Sequence, residues 1–210
     1  MSPLRANAES RPDARWMKLA RAHDPLLHHH SLLVAELCAS FSAFLNYSNS
    51  ERRILVRAAL LHDIGKVKIP AEILRKPSPL TTQEFSTVKS HAQLGYEMLD
   101  QAGETDKTLL TVTRDHHERL DGSGYPRGLI AGEISVPVRV VTLCDVFAAM
   151  TEPRPYAEVM QWDEALERMA AKRARLDLEL LSAFGAMVTA MNVSKKRFSL
   201  FQNHPRRKKP

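Results

Sequence analysis

From about Trp16 to Val193, apolar residues recur at helical spacing almost without a break, and no stretch of convincing length alternates with period two. A chain without half-buried strands must cover its apolar faces by laying helix on helix, so the pattern predicts an all-α fold. In "SLLVAELCASFSAFL", Leu33, Leu37, Phe41 and Phe44 fall at steps of four, four and three and build one apolar face. "SERRILVRAALLHDIGK" reads as a helix capped by Ser50 and running into His62 and Asp63. "VKIPAEILRKPSPLTTQE" holds three prolines and reads as a connection with one short helix. Thr82 and Glu84 lead into a helix carrying "FSTVKSHAQLGYEMLD", and residues 106–119 form another. "GLIAGEISVPVRVVTLCDVFAAMT" opens as a loop and becomes a buried helix ending near Thr151, and "WDEALERMAAK" and "DLELLSAFGAMVTAM" supply the last helices.

With 44% hydrophobic residues in 210, the chain has enough apolar side chain for one core, and neither a repeat nor a second domain is visible. The formal net charge of +6 suggests nucleic acid until it is located. Residues 193–210 hold seven Lys or Arg and no acid, leaving 23 basic against 24 acidic residues in the rest. The reading therefore divides the chain into a polar leader (1–15), a helical body (16–192) and a basic tail (193–210). The tail reads as a solvated end, with weak attraction to RNA or anionic lipid the lesser alternative, and nucleic acid is not an expected partner. Cys38 and Cys144 sit in apolar surroundings and read as buried thiols of a reducing compartment. There is no signal-peptide core and no apolar run near 18 residues, so no membrane span and a cytoplasmic location are expected.

The chemistry lies in the placement of histidines and acids. His30, His62, His91, His116 and His117 each fall inside or at the end of a predicted helix. Asp63 follows "LVRAALLH", and Asp145 sits in "RVVTLCDVFAAM", where the nearest cation along the chain is Arg139. Burying an unpaired carboxylate is costly, and a bound cation removes the cost. Two buried carboxylates and five imidazoles suit two divalent ions. An N/O donor set without cysteine suits iron, manganese, zinc or nickel rather than soft-metal chemistry. Two ions held roughly 3.5–4 Å apart clamp both oxygens of an in-line displacement at phosphorus.

"HDIGK" (62–66), "HHERLDGSGYP" (116–126) and "DVFAAMTEPRPY" (145–156) together resemble the HD-GYP domain, a subgroup of the HD phosphohydrolases. The resemblance extends through "DPLLHHHSLLVAEL" and "HAQLGYEML" and covers about residues 17–190. It implies an all-α HD-domain bundle that hydrolyses cyclic di-GMP to pGpG or GMP at a binuclear centre. By position it implies that His30, His62, Asp63 and Asp145 hold one metal, with Asp63 bridging to a second on His91, His116 and His117. It implies Lys66 at a phosphate oxygen, Tyr125 as an aromatic lip for guanine or ribose, and Arg154 on the ligand's phosphates. Gly122 and Gly124 permit backbone angles that other residues avoid, Pro126 stiffens the loop's exit, and Asp121 fastens it. His23, His28, His29 and His204 read as bystanders.

Three positions depart from the family pattern. Leu26 stands where some members carry a further Glu ligand, Ala148 replaces the second acid of a D-x-x-D arrangement, and Ala157 replaces a basic residue. The first two point to two metals rather than three. The departures keep a second reading open: a catalytically weak receptor or adaptor that binds cyclic di-GMP or a diguanylate cyclase domain. A third reading is a phosphohydrolase acting on another cyclic dinucleotide. A regulatory protein partner and a homodimer complete the expected partners.

Overall fold

The computed structural model describes residues 12–152 and 159–202, with side chains over 13–152 and 159–192. Its helices are α1 (Pro12–His23), α2 (Pro25–Phe44), α3 (Asn49–Leu61), α4 (Ala71–Leu74), α5 (Thr82–Lys89), α6 (His91–Gln101), α7 (Lys107–Asp115), α8 (Val136–Thr151), α9 (Trp162–Ala170) and α10 (Leu178–Gln202). Short 3-10 turns lie at Ile64–Lys68 and Ala131–Glu133. Among the described residues there is no strand, only an isolated bridge between Asp121 and Ile130, so the chain is all-α as expected.

The core forms where α2 and α8 meet. α2 packs on α3 and α8, and α10 closes over α2 and α8. Phe41, Phe147 and Phe184 are fully buried there, with edge-to-face ring centroids 5.1 and 5.3 Å apart on Phe184. Such pairs add about 1 kcal/mol each beyond the area they bury. Cys38 and Cys144 are both buried and free in this layer, and burial first, then the neighbouring Cys38, pushes the Cys144 thiol up. A protonated, enclosed thiol is chemically quiet.

Several boundaries differ from the sequence reading. α1 opens at Pro12, inside the presumed leader, and Asp13 takes a two-pronged hydrogen bond from Arg57 of α3 at 2.8 and 3.0 Å. The backbone of α10 continues to Gln202, into the stretch assigned to the basic tail. Ser48, not Ser50, caps α3, and Thr81 caps α5; each forms a reciprocal box with an acid three residues on, Glu51 and Glu84.

The single helix expected through 82–100 is two. α5 ends where the Ser90 hydroxyl bonds back to the Thr87 carbonyl at 2.7 Å, and α6 begins at once with His91. The helix expected over 106–119 stops at Asp115. Its continuation would need the His116 carbonyl to accept from residue 120. Thr142 of α8 takes that carbonyl instead at 2.8 Å, while the Leu120 amide turns to the Arg175 carbonyl at 3.2 Å. A local side-chain bond thus marks the end of α5 and tertiary partners the end of α7, the two points where histidines are needed.

The 3-10 turn carrying "IGK" lies directly on α6. A Cβ at Gly65 would fall on the His91 carbonyl oxygen and the Gly95 amide nitrogen, both backbone atoms with nowhere to go. Gly65→Ala is therefore expected to destabilise the protein by about 3 kcal/mol, an overpacking cost at the upper end of the usual range. A urea titration would read this as a lower midpoint at unchanged slope; an unshifted midpoint would contradict the contact.

Candidate metal centre

Each candidate ligand is delivered by a helix, mostly from its end. His30 sits inside α2, His62 ends α3, and Asp63 follows it into the 3-10 turn. His91 starts α6, His116 ends α7 with His117 just beyond, and Asp145 lies inside α8. His62, His91 and His116 are fully enclosed, and Asp63 is 1% exposed. Side chains spread over 116 positions of the chain therefore converge on one buried point.

Asp63 is that point. Its Oδ2 lies 3.3 Å from His62 Nε2 and 3.9 Å from His30 Nε2, while Oδ1 lies 3.1 Å from His91 Nε2 and 3.6 Å from His116 Nε2. Asp145 Oδ1 is 2.9 Å from His30 Nε2 and 3.8 Å from His62 Nε2. The donor atoms fall into overlapping groups, His30–His62–Asp63, His62–His116–Asp145 and Asp63–His91–His116–His117, with members of each group within 4.8 Å of one another. The two carboxylate oxygens of Asp63 thus face two sides of one cluster. His116 and His117, about 100° apart in a continuous helix, share a group because α7 has already ended.

The far nitrogens of the rings fix what the near ones offer. His62 Nδ1 meets the Ala59 carbonyl at 2.6 Å, His91 Nδ1 the Val88 carbonyl at 2.7 Å, and His116 Nδ1 the Thr113 carbonyl at 3.0 Å. A carbonyl only accepts, so each Nδ1 carries a proton, and in the neutral form of each ring Nε2 presents a lone pair. Those lone pairs point at one another and at a carboxylate: His91 and His116 bring their Nε2 atoms to 3.4 Å. His62 Nε2 and Asp63 Oδ1 are buried without a hydrogen-bond partner. Converging lone pairs and orphaned buried acceptors repel unless a cation lies among them. The donor set therefore fits a divalent metal with N and O preference.

Electrostatics set the protonation of the cluster differently from ring to ring. Burial lowers His116 to about 4, and burial together with the His116 ring drives His117 well below the ordinary imidazole value. Burial opposes the charge on Asp63 and Asp145 as well. Lys66 and His62 beside Asp63, and His30 and His62 beside Asp145, outweigh it and hold both carboxyls well below their usual range. Burial works against a proton on His30 too, but hydrogen bonds with Asp145 and Glu152 raise it to about 9. Lys66 reaches Asp63 Oδ2 at 2.6 Å, so in this structure its ammonium is engaged with the shared carboxylate.

The loop after His117 forms one wall. Gly122 takes a left-handed φ of +76°, as expected, but Gly124 does not require one. Gly124 is needed because a Cβ there would strike the backbone of Glu118 and Arg119, so its contribution here is close approach rather than a special angle. Asp121 does fasten the loop, accepting from the Ser123 amide at 3.0 Å and hydroxyl at 2.6 Å. The Tyr125 amide donates to the His117 carbonyl at 3.3 Å, and the Tyr125–Pro126 bond is cis. The Tyr125 ring lies 4.7 Å from the His117 ring at 31°, with the Lys89 ammonium 5.3 Å from its centroid. Burial, then the charges of Asp63 and Asp145, raise its phenol, which keeps it a donor.

The structure thus brings His30, His62, Asp63, Lys66, His91, His116, His117, Tyr125 and Asp145 to one place, while Arg154 and Ala157 lie outside the described residues. Leu26 is exposed and Ala148 buried and apolar, so neither offers a donor. His23 is structural, bonded to the Ile69 carbonyl at 3.1 Å. Two functional-looking acids escaped the sequence reading. Glu118, 2% exposed, accepts from the amides of Arg127, Gly128 and Leu129 at 2.6, 3.1 and 2.9 Å. Glu152 lies 3.0 Å from His30 Nδ1. Adjacency to the His pair was the signal available for Glu118; none pointed to Glu152's partner 122 positions away.

The HD domain family model matches residues 15–180. A curated cyclic di-GMP phosphodiesterase of Pseudomonas aeruginosa is 37% identical over 164 residues, covering 78% of this chain and 40% of that protein. A 3'3'-cGAMP-specific phosphodiesterase of Vibrio cholerae is 38% identical over 177 residues, covering 84% of this chain and 38% of its own length. The chain thus spans about two fifths of the length of these curated relatives. Among solved structures, the HD domain of the phosphodiesterase PgpH from L. monocytogenes, in complex with cyclic-di-AMP, superposes with a TM-score of 0.68. It covers 88% of this chain and 99% of that one at 15% identity, a similarity of fold alone.

Glu118 holds the loop by three amides at once, so Glu118→Ala should cost about 2–3 kcal/mol. Amide exchange at Arg127, Gly128 and Leu129 should rise well beyond the change elsewhere. Exchange that stays as slow as in the wild type would show that the loop is held by other means.

Proposed function

The chain belongs to the HD domain family, with the GYP motif of its HD-GYP group, and from that premise we propose that it is a phosphodiesterase that opens cyclic di-GMP by hydrolysis at a two-metal centre. The observation that carries the reading is the shared Asp63 carboxylate, whose two oxygens face two histidine groups whose Nδ1 partners leave Nε2 free. In the proposed assignment His30, His62, Asp63 and Asp145 hold one ion, and Asp63, His91, His116 and His117 hold the other. Iron or manganese is the favoured occupant, with zinc and nickel accepted by the same donors. When bound, divalent ions supply Lewis acidity toward a phosphodiester oxygen and make water more acidic.

The chain's own residues do the rest. His116 and His117, held neutral, and the ionised Asp63 and Asp145 carboxylates donate without first losing a proton, whereas His30, raised to about 9, must give one up to offer Nε2. The Lys66 ammonium, 24% exposed at the side chain, is the cation that reaches between Asp63 and the open side, and it is assigned to a non-bridging phosphate oxygen. Tyr125 offers an aromatic face and a protonated hydroxyl to guanine or ribose. Gly124 and Pro126 shape the loop that presents it, and Arg154 is assigned to the ligand's phosphates by bidentate hydrogen bonding. Hydrolysis breaks one P–O3′ ester bond: water's oxygen joins phosphorus, and the departing 3′ oxygen gains a proton, which gives pGpG. A second pass on pGpG gives GMP.

The Vibrio cholerae relative, matched over most of this chain, supports cyclic GMP-AMP as the competing substrate. The test is turnover of cyclic di-GMP and 3'3'-cGAMP, supplied separately and together, by protein loaded anaerobically with ferrous iron or manganese. Conversion of cyclic di-GMP in preference, lost in Asp63→Ala, is the expected outcome, and Tyr125→Ala should raise KM about tenfold or more, a stacking loss of 1–3 kcal/mol, with metal content intact. Preference for 3'3'-cGAMP would reassign the substrate. Two bound metals with no turnover of either would favour the receptor or adaptor reading.

A further inference from the structure

On the metal-centre reading above, we propose that Glu152 is a positioning residue for His30, and that it tunes the His30 half of the site separately from the other half. Asp145 lies in the last two turns of α8, and Glu152, seven residues on, directly follows the helix with an extended backbone. Between them they clasp the His30 ring: Asp145 Oδ1 is 2.9 Å from Nε2, and Glu152 Oε2 is 3.0 Å from Nδ1. Glu152 is 6% exposed, and its Oε1 has no hydrogen-bond partner. Among the described residues the other basic group beside it is His29 Nε2 at 3.9 Å, so of these the His30 ring contributes most to offsetting the cost of burying this carboxylate.

The arrangement differs from that of the other rings. His62, His91 and His116 rest their Nδ1 atoms on backbone carbonyls of their own or the adjoining helix end, three residues back. His30 alone among these four rests on a side-chain carboxylate. A carboxylate is the stronger acceptor; it holds the proton on Nδ1, fixes the ring's orientation and makes Nε2 a better donor. Glu152 therefore supports one ion's ligand and leaves the His91–His116–His117 group untouched.

Zinc alone is the probe, titrated into the full chain against a chromophoric chelator, for wild type, Glu152→Ala, Glu152→Gln and Asp63→Ala. Glu152→Ala should weaken one zinc-binding step by about 10–100-fold and leave the other unchanged. Glu152→Gln keeps an acceptor oxygen and should lie between the two. Zinc isotherms of Glu152→Ala that match wild type in both steps would overturn the proposal, even with a lowered melting temperature, because a purely structural tie would do just that. Long-range proton–nitrogen spectra of zinc-loaded wild type give a second reading that depends on no variant's folding: His30 should show a protonated Nδ1 and a metal-shifted Nε2, and the reverse pattern would also overturn it. The underlying reading fails in a different way, through a wild type that takes up no zinc or an Asp63→Ala variant that takes up as much as wild type; the first of these sinks the role of Glu152 with it.

Discussion

The rest of the structure depends on one buried carboxylate. Asp63 is 1% exposed and ionised, a state that costs several kcal/mol unless cations gather round it. Lys66 supplies one at 2.6 Å, from the same short turn. Around it, His62, His91 and His116 direct their Nδ1 protons to backbone carbonyls, while His30, 3.9 Å from Oδ2, is raised to about 9 by Asp145 and Glu152. A folded chain that assembles acceptors in this way suits a bound cation. Helices α2, α3, α6, α7 and α8 each bring a candidate ligand to the cluster around that carboxylate.

Helix ends are the means of doing so. At a C-terminus the last carbonyls lack helical partners. His62 and His116 use such carbonyls as acceptors for Nδ1 and turn Nε2 outward. His91 does the same with the last turn of α5, and for that α5 must end at Ser90 rather than continue. Glycine completes the geometry where backbones meet: Gly65 against α6, and Gly124 against residues 118–119. Neither has a positive φ; both are needed for want of a side chain. The motifs HD-x-G-K and GYP therefore combine ligands with the glycines that let ligand-bearing segments touch.

Much of this was legible in the sequence. Helical periodicity gave the all-α class, because apolar faces repeat wherever helix packs on helix. Apolar flanks around Asp63 and Asp145 signalled carboxylates in need of cations, and both prove buried among histidines. What could not be read were effects set by contact across the fold. The end of α7 depends on Thr142 taking the His116 carbonyl, and the end of α5 makes sense only with Gly65 lying on His91. A Ser at position 50 and a Thr at position 82 are as good capping residues by type as Ser48 and Thr81. The choice was made by which acid stood three residues on.

The support of the cluster divides along the same line. Three rings are oriented by carbonyls three residues away, so their geometry is set as soon as each local turn exists. His30 gains both of its partners, Asp145 and Glu152, only when α8 docks on α2. One side of the site is therefore a property of local backbone and the other a property of packing. That packing rests on Phe41, Phe147 and Phe184, whose rings bind α2, α8 and α10 together. Loosening the aromatic layer would separate Asp145 and Glu152 from His30 well before it disturbed the rings held by their own helix ends. The core and the His30 half of the site are in that sense a single structural unit, with α8 common to both.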